Sequence, residues 1–143
     1  MPNMYVVYWS MSGNTEAMAQ AIAEGGKEAG AQVTLRSVSD ADAAALLSAD
    51  LLVLGCPAMG DEVLEESEFE PFFAGIEGKI AGKKVALFGS YGWGDGQWMR
   101  DWQERVKKAG ADLFRGEGLI VNETPDDAAL AECRSFGADF AKN

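Results

Sequence analysis

The chain's 143 residues are 48% hydrophobic and 24% charged, a composition that suits one cored domain over residues 1–143 and excludes a disordered polymer. Twelve Lys and Arg against 23 Asp and Glu leave a net charge of −11, which disfavours nucleic acid as a partner. No apolar run approaches a membrane span, Met1-Pro2-Asn3-Met4 has no basic leader, and Cys56 and Cys133 without any histidine offer no metal-ligand spacing, so a cytoplasmic, metal-free protein with two free thiols is expected.

Tyr5-Val6-Val7-Tyr8 is an apolar run of strand length. The spacing after it predicts a helix from about Asn14, with Met18, Ile22 and Ala29 on one face and Gly30 as the stop. Val33-Thr34-Leu35 alternates in polarity, as a less buried edge strand does. Ser39 and Asp42 are cap residues for a short helix carrying Leu46 and Leu47. Leu51-Leu52-Val53-Leu54 is a continuous apolar strand, followed by an acidic, part-helical segment from about Glu65 to Ile76 that contains Pro71. Val85-Ala86-Leu87-Phe88 reads as the fourth strand. Trp98, Trp102, Val106 and Ala109 mark the next helix face, closed by Gly110. Leu119-Ile120-Val121 is the fifth strand. Thr124 as N-cap and Pro125 as first helical residue would open the last helix, with Asp126 and Asp127 favourable to its dipole and Ala129, Cys133, Phe136 and Phe140 as its apolar face.

Strands alternate with helices throughout, and three of the strands are apolar on both faces. That pattern predicts an α/β fold with a doubly wound parallel sheet and helices on both faces. Ligands of such sheets sit beyond the carboxyl ends of the strands. Charge is uneven too: between Arg36 and Lys79 there is no base, and Asp40, Asp42, Asp50, Asp61, Glu62, Glu65, Glu66, Glu68, Glu70 and Glu77 lie in that stretch. Such a stretch is either a solvated face or a surface that steers a basic partner, and the two are compatible.

Three loops follow the first, third and fourth strands. Ser10-Met11-Ser12-Gly13-Asn14-Thr15 has three hydroxyls, a glycine and an amide, and no base. Hydroxyls and backbone N–H groups at a helix start bind phosphate without a cation, although an ordinary capped helix start has the same composition. Its spacing is neither a Walker loop nor the GxGxxG fingerprint. Gly55-Cys56-Pro57-Ala58-Met59-Gly60-Asp61-Glu62 offers a backbone free at Gly60, a soft thioether at Met59 for an aromatic ring, and an acceptor at Glu62 for an imide N–H. Read alone, it is also a plain turn. Gly89-Ser90-Tyr91-Gly92-Trp93-Gly94-Asp95-Gly96 has four glycines, and its Tyr91 and Trp93 lie off any helix face. An exposed indole is costly unless it stacks on a ligand or partner, although a Trp that folds back onto the core has the same sequence. Together the loops suit a flat aromatic ligand with a phosphate tail.

These loops resemble those of the flavodoxins, specifically the short-chain kind without an insertion in the fifth strand, and the likeness runs essentially the whole chain. It is carried by Ser10-x-Ser12-Gly13-x-Thr15, by Ala58-Met59-Gly60-Asp61-Glu62 with the acidic run Glu65-Glu66-Ser67-Glu68-Phe69-Glu70-Pro71, and by Ser90-Tyr91-Gly92-Trp93-Gly94-Asp95-Gly96. The resemblance implies a flavodoxin-like five-stranded sheet of order 2-1-3-4-5. It implies a monomer that holds FMN and shuttles single electrons at low potential, between semiquinone and hydroquinone, with basic-surfaced redox proteins as transient partners. No catalytic residue and no membrane are implied.

The implied cofactor contacts are Ser10, Met11, Ser12, Gly13, Asn14 and Thr15, then Pro57, Ala58, Met59, Gly60, Asp61 and Glu62, then Ser90, Tyr91, Gly92, Trp93 and Gly94. Met59 would lie on the inner flavin face and Trp93 on the outer. Glu62 would accept from N3–H, and the Gly60 carbonyl would turn to N5–H. Pro57 and Met11 depart from the family pattern, which has a small hydroxyl residue and a small residue at those places. The rival readings are an FMN-dependent reductase, a receiver-type signalling domain and a domain that has lost its flavin. The receiver lacks support: Tyr8-Trp9-Ser10 ends the first strand where acids would be needed, and Asn122-Glu123-Thr124-Pro125 follows the fifth in place of a switch lysine.

Overall fold

The computed structural model describes residues 2–143. Along the chain run β1 (Asn3–Tyr8), α1 (Asn14–Glu28), β2 (Gln32–Ser37), α2 (Ala43–Ser48), β3 (Leu51–Gly55), α3 (Phe69–Glu77), β4 (Lys84–Tyr91), α4 (Gln97–Lys108), β5 (Asp112–Leu113), β6 (Leu119–Asn122) and α5 (Asp127–Ala141). All strand pairs are parallel, in the order β2-β1-β3-β4, with β5 and β6 both on the outer edge of β4. The sheet therefore has the 2-1-3-4-5 order expected, with its fifth place shared by two short strands.

Lys84 and Val85 pair with Asp112 and Leu113, and pairing resumes only at Phe88 with Leu119. Between them the chain bulges through a one-turn 3₁₀ segment, Phe114–Gly116, in which Arg115 (φ 62°) and Gly116 (φ 73°) leave the extended region. The apolar pattern of the sequence marks only Leu119–Val121 there.

Residues alternate between the two faces of the sheet, and each face builds its own core. Tyr5, Val7, Leu52, Leu54, Val85 and Leu87 pack with Phe69, Phe73 and Ile76 of α3 and with Trp98, Trp102 and Val106 of α4. Met4, Val6, Leu51, Val53, Ala86 and Phe88 pack with Met18 and Ile22 of α1 and with Cys133, Phe136 and Phe140 of α5. Helices α1 and α5 touch backbone to backbone: a Cβ at Gly25 would collide with the Arg134 carbonyl, and one at Gly137 with the Ile22 carbonyl.

Two expected helix starts are corrected. Helix α5 begins at Asp127, and its cap is Asp126, whose Oδ1 accepts from Ala129 N at 2.8 Å. Thr124 and Pro125 precede it, because the aspartate reaches the free N–H groups of the first turn one step closer. Ser39 lies in a 3₁₀ turn, Val38–Asp40, and Asp42 alone caps α2, accepting from Ala44 N at 3.0 Å. Pro71 sits in the first turn of α3, where its missing N–H costs nothing. Among the described residues no helix is long and apolar enough to cross a membrane.

Candidate functional site

The loops leaving β1, β3, β4 and β6 meet at the carboxyl edge of the sheet around a cleft of about 240 Å³. One wall is Ser10, Met11, Ser12, Asn14 and Thr15, at the start of α1. Gly13 caps that helix in the left-handed region (φ 95°) and brings no side chain to the N–H groups of Asn14 and Thr15, which stay available to an anion. The Ser10 hydroxyl accepts from Gly13 N at 3.1 Å and from Glu16 N at 3.2 Å, so it shapes the loop and still has its own proton to donate. Thr15 is buried, with Oγ1 2.7 Å from Ser90 Oγ. That bond ties the loop to the end of β4, and Ser90 N also donates to Thr15 Oγ1 at 3.4 Å.

The facing wall is Pro57, Ala58 and Met59. Ala58 N donates to the Ser90 carbonyl at 3.1 Å, and Met59 and Val63 exchange two backbone hydrogen bonds of 2.9 Å. Those bonds close a tight turn over Gly60, Asp61 and Glu62, in which Gly60 (φ 50°) and Glu62 (φ 57°) are both left-handed. Nothing lies within 4 Å of where a Gly60 Cβ would stand. Glu62 Oε2 accepts from Gln97 N at 2.8 Å, capping α4, and the carboxylate packs on the Cα of Gly94. Its other oxygen remains an acceptor.

The third loop divides. Ser90, Tyr91 and Gly92 line the cleft. Tyr91 folds onto Trp98 of α4, with ring centroids 5.5 Å apart, so it is less free than its position in a glycine loop suggests. Trp93 stands out at 61% exposure, and Gly94 (φ 85°) and Gly96 (φ 93°) turn the chain into α4. Of the implied contacts, the cleft wall brings together Ser10, Met11, Ser12, Asn14, Thr15, Pro57, Ala58, Met59, Ser90, Tyr91 and Gly92. Gly13, Gly60, Asp61, Glu62, Trp93 and Gly94 lie on the same loops outside that wall.

Two residues, one in the cleft and one beside it, have roles that the sequence does not announce. Glu123 lines the cleft from the end of β6, left-handed at φ 60°, with its N–H donating to the Tyr91 carbonyl at 2.7 Å. Its place after a parallel strand is the available signal. Glu65 is the other, 6% exposed. Burial pushes its carboxyl up, but hydrogen bonds from Ser67 Oγ and from the N–H groups of Phe69, Glu68 and Ser67 prevail and hold it below the usual range. Glu65 thereby satisfies the free N–H groups at the start of α3 and fixes the exit of the Gly60 turn. Nearby, burial first and then the Glu16 carboxylate, 3.1 Å from its hydroxyl, raise the Tyr8 pKa.

The donor set suits a phosphorylated flavin. A helix start with hydroxyls and no base is a surface that a phosphate fits, Met59 is a half-buried thioether, and Trp93 is an exposed indole. A family model described as flavodoxin matches residues 6–137. The chain is 56% identical to a flavodoxin of Clostridium beijerinckii over 138 residues, covering 96% of this chain and 99% of that one. It is 49% identical to a flavodoxin of Megasphaera elsdenii over 137 residues, covering 96% and 97%. The solution structure of two-electron reduced Megasphaera elsdenii flavodoxin superposes with a TM-score of 0.88 at 48% identity, over 98% of this chain and 99% of that one.

Proposed function

Since the chain belongs to the flavodoxin family, and so is an FMN-bound electron carrier for redox partner proteins rather than an enzyme, we propose that the cleft between the Ser10–Thr15, Pro57–Glu62 and Ser90–Gly94 loops holds its FMN. Flavodoxins are themselves a standing example of ligands bound at the switch point of such a sheet. The observation that carries the assignment is the start of α1, where Gly13 brings no capping side chain and Ser10 takes only the Glu16 N–H of the first turn, beside a cleft with hydroxyls and no Lys or Arg on its wall.

Bound FMN supplies the one-electron chemistry, and the protein supplies binding, orientation and electrostatics. Ser10, Ser12, Asn14 and Thr15 and the N–H groups of their loop take the phosphate. Met11 and Pro57 line the cleft, and Ala58 and Ser90 close the wall behind them. Met59 and Trp93 flank the ring. Glu62 receives the ring's imide edge with the oxygen that Gln97 leaves free. Gly92 and Gly94 let backbone approach that edge, beside Tyr91 and Asp61. Gly60, with open space at its Cα, turns its peptide toward the ring at little steric cost. Apolar walls and the carboxylates of the turn disfavour added negative charge in the site, which makes the carrier a low-potential one.

Residues 1–143 then act as one FMN-binding unit, monomeric, in the cytoplasm, with basic-surfaced partners that dock transiently. Titration of the cofactor-free chain with FMN tests the site. Flavin fluorescence should be quenched with one-to-one stoichiometry, and Ser12→Ala with Asn14→Ala should weaken binding by about tenfold or more. Unchanged affinity in that pair would remove the phosphate from this loop.

A further inference from the structure

Met11 occupies an unusual place on the cleft wall. It is 71% exposed, the most exposed large hydrophobic side chain among the described residues, and it sits in the cleft beside Ser10, Ser12 and Asn14. The other described methionines are sheltered: Met4, Met18 and Met99 are buried, and Met59 is half-buried. Thioethers react with peroxides in proportion to their access, and the product replaces an apolar sulfur by a polar S=O group.

From this we infer that Met11 is an oxidation site, and that its sulfoxide lowers the affinity of the chain for FMN. The inference rests on the cofactor reading above. The oxidant is a hydroperoxide, here hydrogen peroxide from solution. The Met11 sulfur attacks one peroxide oxygen, an S–O bond forms as the O–O bond breaks, and sulfur gives up two electrons. The departing hydroxide takes the proton from the new S–OH and leaves as water.

The sulfoxide oxygen is a strong acceptor with negative partial charge, and it arises at the positive end of α1. A polar oxygen on that loop changes the surroundings of the N–H groups that a phosphate needs. It also adds the negative end of a neutral S=O dipole to a cleft with no Lys or Arg on its wall to offset it. A buried methionine would have to unfold its surroundings to be oxidised; Met11 reacts in the folded chain. The change is reversible, because sulfoxide reductases restore the thioether.

The test uses the full cofactor-free chain. Its FMN Kd is measured by quenching of flavin fluorescence before and after hydrogen peroxide, with the oxidised residues located by mass spectrometry of peptides. Met11 should gain one oxygen before Met59, and the FMN Kd should rise roughly tenfold, the loss of about one charge-assisted hydrogen bond. A sulfoxide reductase should bring it back. Met11→Leu, whatever its own starting Kd, should change less than about twofold on peroxide treatment, while Met59→Leu should still lose affinity. Oxidation of Met59 first, unchanged Kd with Met11 fully oxidised, or equal loss in Met11→Leu would each overturn the inference and leave the FMN site standing. Failure of the untreated chain to bind FMN would sink the site assignment itself, and this inference with it.

Discussion

Gly60 and Glu65 lie five residues apart and do opposite work. Gly60 has a left-handed backbone and empty space at its Cα, so its peptide is free to turn. Gly60→Val would place a β-branched residue at φ 50°, a strained conformation. If turning that peptide stabilises the half-reduced cofactor, the substitution should narrow the gap between the two one-electron potentials. Loss of one hydrogen bond corresponds to roughly 60 mV for a one-electron couple, and a redox titration with unchanged spacing would rule the peptide turn out.

Glu65 instead pins the chain between the turn and α3. Glu65→Gln should cost about 1–2 kcal/mol at neutral pH in urea unfolding, since it weakens a charged cap on several N–H groups. The lowered carboxyl sets the sign of the pH effect. The native state holds the proton less tightly than the unfolded chain. The contribution is therefore complete above the unfolded glutamate pKa of about 4.3 and is lost as pH falls through the lower native value. Stability curves for wild type and Glu65→Gln should converge in that acid range, and parallel curves would contradict the cap.

Among the elements, helices α1 and α5 cross backbone to backbone. Gly137→Ala would drive a methyl group into the Ile22 carbonyl and should destabilise the fold by about 1–3 kcal/mol in thermal or urea unfolding. On the opposite face, Arg105 of α4 pairs with both Glu70 and Glu77 of α3 at 2.7 and 2.9 Å and lies over the Phe73 ring. The Glu70 and Glu77 hydrogen bonds raise its already high pKa.

Elements of this kind are largely legible in the sequence. Tyr5–Tyr8, Leu51–Leu54 and Val85–Phe88 are apolar runs that only a sheet covered on both faces can bury, and Met18, Ile22, Trp98, Trp102, Phe136 and Phe140 recur at helical spacing. Asp112–Leu113 is not legible, because two residues carry no periodicity. The α5 cap is easily misplaced because Thr124-Pro125-Asp126-Asp127 offers more than one sound helix start, and only the Asp126 contact with Ala129 decides it. Glu65 stays hidden in an acidic run whose members look alike until one turns inward. The three loops are legible as a group, whereas Glu123 needs the fold to bring β6 beside the cleft.

Across the whole molecule, lysines gather at one end of the sheet. Lys79, Lys83, Lys84, Lys107 and Lys108 sit where α3 and α4 finish and β4 starts, at the edge of the sheet away from the cleft. Many acids of the Asp40–Glu77 stretch have structural partners: Asp50 accepts from Asn3 N, Glu68 from Trp9 Nε1, and Glu70 and Glu77 from Arg105. Asp61 and Glu66 are exposed near the Gly60 turn. Electron transfer from the reduced carrier to a cationic metal complex should slow as salt rises, and transfer to an anionic complex should not. Asp61→Lys with Glu66→Lys should flatten the first dependence, while Lys107→Glu should leave it nearly unchanged. Equal slopes for both complexes would remove steering from the account.

The two cores also differ in what they let an observer see. Trp98 and Trp102 are buried in the α3–α4 layer, and Trp9 packs against that same layer. The α1–α5 layer contains phenylalanine, methionine and cysteine but no indole. With the exposed loop residue Trp93 set aside, the emission of the other three indoles during denaturation therefore tracks one half of the molecule, while helix dichroism tracks both. Should the layers come apart in separate steps, the two optical signals would part company, and the silent half would be the one next to the phosphate loop.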